Sequence, residues 1–353
     1  MQVTEAIAAV SAGQNLDEEQ SSGVMNEIMD GEATDAQIAA LITALRMKGE
    51  TEEEITGFAR AIRNRASRAE WPGGGMVDTC GTGGDMVQTF NISTTAAFVV
   101  AACGVPVAKH GNRSVSSKCG SADVLEALGV RIDLPPASAA ESIEKTGIGF
   151  LFAPTFHSAM KHAVKARREI GIRTVFNLIG PLVNPAGADH QLMGVYSAAL
   201  TKSLAEVLCR LGVTSALVVH GAGGLDEIST IGPTQVAEVK GGRVDTYEIS
   251  PDMFGLPGAT VEELRGGDKR RNAEITESIL KGEPGPRQDI VVLNAAAALY
   301  AAGKVSSIDE GITRAREAII SGEALHRLRL LQQYCGSSGK KEAKVENCSF
   351  SAS

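Results

Sequence analysis

The residues best suited to chemistry lie in one run of this chain, between Asp78 and Asp123. A glycine-rich turn, residues 81–85, follows a short apolar segment in that run. Glycine accepts positive φ angles and lets backbone N–H groups approach an anion closely. Lys109 follows a second apolar segment and supplies a positive charge. Together these features predict a binding site for a phosphorylated small molecule, and they favour a polyphosphate.

The segment after the turn predicts a helix whose first turn could also bind phosphate. Asn91 and Ser93 are suitable N-caps for an apolar helix that starts near Thr94, and helix N-termini attract anions. Each feature also has a plainer interpretation, because a glycine turn can be only a tight turn and a lysine only a solvated charge. The common nucleotide motifs fail: Met86 stands where a dinucleotide fingerprint needs its third glycine, and no Gly-Lys-[Ser/Thr] follows.

Two adjacent carboxylates, Asp226 and Glu227, follow a predicted strand and a glycine-rich stretch, residues 220–224. Such a pair is often only solvated. Beside a polyphosphate it would suit Mg²⁺, which prefers oxygen ligands from one or two carboxylates, phosphates and water. His157 and His162 do not have the spacing of a zinc site.

Several other polar residues lie near the predicted site. His110, next to Lys109, is a candidate general base, but we expect it instead to line a pocket through polar contact or packing. Cys119 has no base in view, and we expect it to be a small buried residue. Arg167 and Arg168 lie near the end of a predicted helix, residues 157–170, where arginines usually answer the helix dipole.

The surrounding pattern predicts two kinds of domain. The N-terminal part is predicted to be helical, because Thr34-x-x-Gln37 and Thr51-x-x-Glu54 are capping-box patterns that open amphipathic stretches. From Met76 onward, short apolar strands alternate with helices. The predicted strands are residues 76–80, 105–109, 148–153, 192–196 and 215–220. This alternation predicts an α/β protein with a small all-helical N-terminal domain and a larger α/β domain, whose central, mostly parallel sheet is flanked by helices.

The domain bounds follow from the same pattern. We expect a helical domain over 1–70, with a helical contribution from about 157–185, and an α/β catalytic domain over 75–335 that binds the predicted phosphorylated ligand. The stretch Trp71-Pro-Gly-Gly-Gly75 is a candidate hinge. Residues 336–353 are small and polar and are predicted to be disordered.

Composition narrows the class of function. The chain of 353 residues carries a formal net charge of −8, which disfavours nucleic acid and anionic membranes as partners. The six cysteines are scattered and form no CxxC pair. They are typical of reduced thiols in a cytoplasmic protein, as is the lack of an apolar leader-like or membrane-length stretch.

Long ordered motifs identify the sequence as similar to a known family. The motifs are GTGGD (81–85), NIST (91–94), KHGNRSVSS (109–117), GSADVLEALG (120–129), RREIGIRTVFNLIGPLVNPA (167–186) and HGAGGLDE (220–227). Together they resemble the anthranilate phosphoribosyltransferases, of the nucleoside phosphorylase-like class, from about residue 5 to about residue 335. The resemblance implies transfer of a phosphoribosyl group from 5-phosphoribosyl 1-pyrophosphate (PRPP) to the amine of anthranilate, in tryptophan biosynthesis, with pyrophosphate as leaving group.

The resemblance also implies roles for residues of this chain. Catalysis would rest on Lys109, Asp226 and Glu227, and Mg²⁺ would be held by Ser93, Asp226 and Glu227. The residues implied to bind PRPP are Gly81, Gly84, Asp85, Thr89, Asn91, Ile92, Ser93, Thr94, Lys109, Ser117 and Ser121. Those implied to bind anthranilate are Gly81, His110, Asn112, Arg167, Gly180 and Pro181. A plain turn remains the alternative for Gly180-Pro181.

Two rival functions stay open at this stage. A pyrimidine-nucleoside phosphorylase shares the fold class but needs neither a carboxylate-binding arginine nor a Mg²⁺ pair, so Arg167 and Asp226-Glu227 favour the transferase. A non-catalytic homologue that binds nucleic acid or protein should have lost some of these residues. The family tendency implies a homodimer through the helical domain, and we expect no fused glutamine amidotransferase segment.

Overall fold

The structure is a computed structural model that describes residues 1–84, 87–114 and 118–349, with side chains described up to residue 336. It begins with four helices. These are α1 (Val3–Ser11), α2 (Glu18–Asp30), α3 (Asp35–Lys48) and α4 (Glu52–Arg65). Both capping boxes predicted from the sequence are confirmed, because Thr34 caps α3 with Gln37 and Thr51 caps α4 with Glu54.

One seven-stranded sheet follows. Its strands are β1 (Val77–Gly81), β2 (Val107–Gly111), β3 (Ile148–Phe152), β4 (His190–Gly194), β5 (Ser215–Gly221), β6 (Thr234–Lys240) and β7 (Arg243–Ile249). The order is β3-β2-β1-β4-β5-β6-β7, with parallel pairing from β3 to β5 and antiparallel pairing of the last two strands. The prediction of a mostly parallel sheet is confirmed, and all five predicted strands are present within two residues.

The antiparallel hairpin of β6 and β7 was missed by the sequence analysis. Its turn, Gly241-Gly242, is a recognised signal for a two-residue hairpin. The outer strand is mostly exposed and polar, so it carries no apolar run.

Helices cover both faces of the sheet. They are α5 (Ile92–Ala102), α6 (Ser121–Ala127), α7 (Pro136–Thr146), α8 (Ala153–Phe156), α9 (Lys161–Ile170), α10 (Val175–Ile179), α11 (Leu200–Arg210), α12 (Lys269–Leu280), α13 (Pro286–Ala301), α14 (Ile308–Ile320) and α15 (Glu323–Ser349). The predicted helix over 157–170 is instead a 3-10 turn at Ser158–Met160 followed by α9, and the short helix α8 lies before it. None of the described helices combines the length and apolar character needed to span a bilayer.

Two hydrophobic cores lie on opposite faces of the sheet. Successive side chains of a strand alternate between faces, and along β5 Leu217 and Val219 enter the first core while Ala216 and Val218 enter the second. The first core is completed by α5, α13 and α15, and the second by the N-terminal helices together with α9, α10 and α11. The N-terminal helices therefore pack close to the segment 161–183 that precedes β4.

The last helix continues further than the sequence analysis expected. Disorder was predicted over residues 336–353, whereas α15 runs as helix to Ser349. The structure thus describes helix over most of the predicted disordered segment. The predicted domain bounds, and the independence of this segment from the folded body, stay predictions.

Candidate active site

A cleft of about 520 Å³ opens at the carboxyl ends of β1 and β2. Since β2 lies on one side of β1 and β4 on the other, the chain changes direction across the sheet at β1, and ligands of such sheets bind at that crevice. We call one wall the glycine-loop side, formed by residues 81–84, 91–94, Lys109 and 226–227. We call the other the histidine side, formed by His110, His157, Arg167, Phe176 and residues 180–181.

The glycine loop is hydrogen-bonded to the carboxylate of Asp226. The N–H of Gly83 donates to Asp226 Oδ2 at 2.8 Å. A Cβ added at Gly194, the last residue of β4, would lie 1.6 Å from the Asp226 carbonyl oxygen, so this close approach requires glycine there. The loop and the acidic pair, 143 residues apart in sequence, are therefore one packed unit.

The first turn of α5 receives the second carboxylate. The Ser93 N–H donates to Glu227 Oε1 at 3.0 Å, so a side chain from a distant loop caps this helix. Asn91 is the N-cap residue, but its side chain makes no capping bond and instead donates to the Cys119 carbonyl at 3.2 Å. The prediction of Asn91 as the N-cap residue is therefore confirmed, but its side chain does not cap the helix, because Asn91 Oδ1 accepts from Asn272 Nδ2 at 2.9 Å, and the Ser93 hydroxyl accepts from Lys109.

Lys109 extends from β2 beneath this helix start. Its side chain is 2 % exposed, and Nζ donates to the Thr79 carbonyl and, at 3.3 Å, to the Ser93 hydroxyl. Burial lowers the pKa of Lys109, and the carboxylates of Asp78 and Glu227 oppose that shift.

Asp78 is a fully buried carboxylate on β1. Its oxygens accept from the His110 N–H at 3.3 Å and from Asn184 Nδ2 at 2.8 Å. Burial raises the pKa of Asp78 to about 6, while Lys109 works against the shift. This carboxylate ties β1 to β2 at the point where the two walls of the cleft meet.

The histidine side is buried and carries no formal charge at its centre. His110 Nδ1 lies 3.2 Å from the Gly180 carbonyl, which can only accept, so Nδ1 carries the proton and Nε2 is left as an acceptor. Burial, the nearby His157 and Lys109 lower the pKa of His110 to about 3. Among the described residues, His110 Nε2 has no hydrogen-bond partner.

His157 packs against this ring. The two imidazoles meet edge to face with centroids 5.1 Å apart, and His157 is 8 % exposed. Burial lowers the pKa of His157 to about 4, and the backbone of Val183 acts in the opposite direction by raising it. Two neutral rings therefore contribute to a desolvated pocket that suits an aromatic molecule.

Arg167 brings a cation to the edge of that pocket. It sits in the last turn of α9, and its Cζ lies 4.8 Å from the centroid of the Phe176 ring. Burial lowers the pKa of Arg167. A guanidinium stacked on an aromatic face still presents its N–H edge, which can donate two hydrogen bonds to one carboxylate.

The turn at Gly180-Pro181 is fixed from two directions. It forms a 3-10 turn directly after α10, and its carbonyls accept from His110 Nδ1 and, at 2.6 Å, from Gln191 Nε2. The turn thus serves as the rear wall of the histidine side.

The acidic pair suits a hard cation that keeps other ligands. Within the described ranges, no group of three or more His, Cys, Asp and Glu side chains is placed to hold a metal. Asp226 and Glu227 line the cleft together with Ser93, whose N–H already holds Glu227. Two carboxylates and a hydroxyl fit Mg²⁺, which usually takes its remaining ligands from phosphates and water.

Family comparisons agree with this arrangement. Residues 4–66 match the glycosyl transferase family, helical bundle domain, and residues 73–325 match the glycosyl transferase family, a/b domain. An anthranilate phosphoribosyltransferase of Pelotomaculum thermopropionicum is 55 % identical over 343 residues, which cover 97 % of this chain and 99 % of the relative. Another, of Syntrophotalea carbinolica, is 54 % identical over 345 residues, covering 93 % of this chain and 98 % of the relative.

This chain belongs to the anthranilate phosphoribosyltransferase family. The crystal structure of such an enzyme from Thermus thermophilus has a TM-score of 0.89 and 46 % identity, covering 94 % of this chain and 99 % of that one. The Saccharomyces cerevisiae enzyme, in complex with PRPP and Mg, has a TM-score of 0.87 and 28 % identity, covering 95 % of this chain and 98 % of that one. The fold predicted from the sequence is therefore that of anthranilate phosphoribosyltransferases.

The structure brings most of the predicted site residues together. Those that line the cleft are Gly81, Gly84, Thr89, Asn91, Ile92, Ser93, Thr94, Lys109, His110, Asn112, Ser121, Arg167, Gly180, Pro181, Asp226 and Glu227. Asp85 and Ser117 were also predicted, and they lie outside the described residues. The role of each residue in binding or catalysis stays a prediction.

Several lining residues were missed by the sequence analysis, among them His157, Phe176 and Asn177. His157 was weighed only as one half of a zinc pair, and Phe176 and Asn177 were not weighed at all. His157 follows helix α8, so nothing in the local pattern places it opposite His110. Phe176 lies in the matched motif of residues 167–186, and that motif was the only signal that could have found it.

Proposed function

We propose that this protein transfers the phosphoribosyl group of PRPP to the amine of anthranilate, which yields N-(5-phosphoribosyl)anthranilate and pyrophosphate in tryptophan biosynthesis. The observation that carries this proposal is the pairing of an anion-binding glycine loop and acidic pair with a neutral aromatic pocket that ends in Arg167, all in one cleft. Relatives with this name are more than half identical over nearly the whole chain, which supports the same reaction.

PRPP would bind on the glycine-loop side. Backbone N–H groups of the loop and of the first turn of α5, other than those of Gly83 and Ser93 that bond to Asp226 and Glu227, would supply donors, and Lys109 adds a buried amine beneath them. The residues proposed to contact it are Gly81, Gly84, Asp85, Thr89, Asn91, Ile92, Ser93, Thr94, Lys109, Ser117 and Ser121. Such preorganised donors stabilise negative charge as it develops on departing pyrophosphate.

Anthranilate would bind on the histidine side. Arg167 would take its carboxylate, while Gly81, Asn112, Gly180 and Pro181 would surround the ring. His110 Nε2 is an acceptor in a buried pocket, so it can accept one N–H of the amine. That bond would aim the amine nitrogen at the neighbouring sugar.

The chemistry then needs positioning more than proton removal. The amine lone pair forms the N–C1 bond, the C1–O bond to pyrophosphate breaks with its electron pair, and the amine afterwards gives one proton to solvent. Positive charge builds on the ribose in an oxocarbenium-like transition state. With its pKa at about 3, His110 is a poor general base at neutral pH.

Ser93, Asp226 and Glu227 are proposed to hold Mg²⁺. A bound Mg²⁺ neutralises charge on pyrophosphate, a contribution of several kcal/mol in comparable sites. The Saccharomyces cerevisiae relative was solved with PRPP and Mg, which supports the assignment. Glu227 is held by the Ser93 N–H, so its carboxylate and the Ser93 hydroxyl stay adjacent.

Two further features belong to the proposal. We expect a homodimer through the helical part, as the family tendency implies. We expect the enzyme to act in the cytoplasm, in keeping with its scattered free thiols.

A coupled assay for pyrophosphate release tests the function. Release should require PRPP, anthranilate and Mg²⁺ together. Release of a free base from a pyrimidine nucleoside on addition of phosphate, without pyrophosphate formation from PRPP, would instead assign the chain to the nucleoside phosphorylases.

A further inference from the structure

Arg173 lies between the two walls of the cleft. It belongs to the connection between α9 and α10, which are the helices that carry Arg167 and Phe176. Its side chain reaches across to the glycine loop, where Nη2 donates to the Gly84 carbonyl at 2.7 Å. A residue of the segment that builds the histidine side thus holds the opposite wall.

Tyr196 supports this contact. The Arg173 Cζ lies 4.4 Å from the centroid of the Tyr196 ring, which stacks beneath the guanidinium. The N–H of Tyr196 also donates to Thr82 Oγ1 at 3.1 Å. Arg173 and Tyr196 together therefore fix the loop at two positions, Thr82 and Gly84.

The shape of the loop at Gly84 depends on this arrangement. Gly84 has φ +85°, and a Cβ added there would lie 2.2 Å from Arg173 Nη2. A bond from a cation to a backbone carbonyl is stronger than one between neutral groups. The bond from Arg173 therefore stabilises one backbone conformation of Gly84 among the many that glycine can adopt.

We infer that Arg173 is a positioning residue that holds the glycine loop in its PRPP-binding shape and acts through the Gly84 carbonyl. The inference rests on the proposed function for the identity of the ligand. It makes Arg173 act through the loop, because its guanidinium is engaged with Gly84 and Tyr196. It also predicts that Tyr196, outside the predicted site, affects binding of the same ligand.

Calorimetric titration of the full chain with PRPP and Mg²⁺ tests the inference, alongside steady-state kinetics. Arg173→Ala should weaken PRPP binding about tenfold, the equivalent of one lost charged hydrogen bond. The KM for anthranilate should stay within about twofold, because no described contact of Arg173 is with the histidine side. Arg168→Ala, an exposed neighbour, serves as the matched control.

Variants of Tyr196 separate positioning from direct contact with phosphate. Tyr196→Leu should weaken PRPP binding in the same direction, and Tyr196→Phe, which keeps the ring, should not. The double variant Arg173→Ala with Tyr196→Leu should lose less than the product of the two single losses, because both act on one loop. If the two single losses of PRPP affinity multiply in the double variant, the inference is overturned. It is also overturned if Arg173→Lys binds PRPP as tightly as wild type while Tyr196→Leu has no effect on PRPP binding, since that pair of results would show direct phosphate contact.

A purely structural brace would behave differently again. If Arg173→Ala lowers the melting temperature while PRPP binds normally, Arg173 does not position the loop and the inference is wrong. Failure of the proposed function is distinguishable, because it would appear in the wild-type protein as absent pyrophosphate release with anthranilate. The PRPP titration needs no acceptor and still reads out the role of Arg173.

Discussion

The two walls of the cleft are built on different principles. The glycine-loop side is assembled from backbone N–H groups, a buried lysine and two carboxylates at the ends of parallel strands. The histidine side is assembled from two neutral imidazoles, a stacked arginine and a 3-10 turn. Under the proposed function, one wall would meet charge that changes during the reaction, and the other would hold a flat ring in one orientation.

This contrast assigns different consequences to damage on each wall. Loss of a charged group on the glycine-loop side should act on turnover, because its contribution grows as pyrophosphate departs. Loss on the histidine side should act on binding of the acceptor or on stability, because its contacts exist before the reaction begins. Five variants test that division, in order of decreasing effect.

The largest effect is expected from the acidic pair. Asp226→Asn combined with Glu227→Gln should lower turnover by about three orders of magnitude, as loss of a metal contribution of several kcal/mol implies. Steady-state turnover over a Mg²⁺ titration measures it. The exposed pair Glu262→Gln with Glu263→Gln is the matched control. Near-normal turnover at limiting Mg²⁺ would remove the pair from the metal site.

The second effect concerns the neutral histidines and pH. In the folded state the pKa of His157 is about 4, whereas a histidine in the unfolded chain has a pKa of about 6.5. Between about pH 6.5 and pH 4 the unfolded chain therefore binds a proton at this residue and the folded chain does not. Stability should therefore fall as pH drops through that window, by about 2 kcal/mol at pH 5 from this residue.

Unfolding measured from pH 8 to pH 5 tests this sign. His157→Gln should show a shallower loss of stability than wild type, while the difference at pH 8 isolates the packing cost, since the ring is neutral there in both states. Equal slopes would mean that His157 is charged in the fold. Asp78, whose pKa is raised to about 6, contributes the opposite trend in both proteins.

The third effect concerns specificity on the histidine side. Arg167→Lys keeps the charge but loses the planar fork, so the KM for anthranilate should rise about tenfold while the KM for PRPP stays nearly constant. Arg168→Lys is the exposed control. A change in the KM for PRPP alone would indicate that Arg167 contacts phosphate, and it would contradict the division between the two walls.

The fourth effect concerns the loop itself. Gly84→Ala forces a methyl group into a positive φ and against Arg173, so PRPP binding should weaken about tenfold. Calorimetry with PRPP, beside a thermal melt without ligand, distinguishes binding from folding. Normal binding with a much earlier melt would make Gly84 only a structural turn residue.

The smallest effect is expected at the C-terminus. Stopping the chain after Cys335 removes the second half of α15 and should change turnover little and the melting temperature by no more than about 2 °C. A clear loss of either would show that residues 336–353 dock on the folded body.

The same contrast explains how much the sequence could predict. Apart from the acidic pair, the glycine-loop side lies within residues 81–109, and its loop, Lys109 and the acidic pair each follow a predicted strand, so strand ends of a parallel sheet placed them in one site. The parallel strands were predictable because buried strands are apolar runs. The polar hairpin of β6 and β7 was missed because half-exposed strands carry no such run.

The histidine side resisted sequence reasoning for a physical reason. Its residues come from β2, from the turn after α8, from α9 and from α10, and only the packing of these elements against the sheet makes them neighbours. His157 is polar by type yet functions here as a buried neutral ring, a state that residue type does not reveal. Likewise, the capping of α5 by Glu227 joins residues 134 positions apart.

The proposed division of labour in the cleft is that one wall activates PRPP while the other selects an aromatic amine that carries a carboxylate. Its most direct test is the rate of pyrophosphate release from PRPP and Mg²⁺ with anthranilate, with benzoate, which lacks the amine, and with aniline, which lacks the carboxylate. The account predicts one pyrophosphate per anthranilate consumed, no release with benzoate, and a strongly raised KM for aniline. Equal release with benzoate, or without any acceptor, would contradict it.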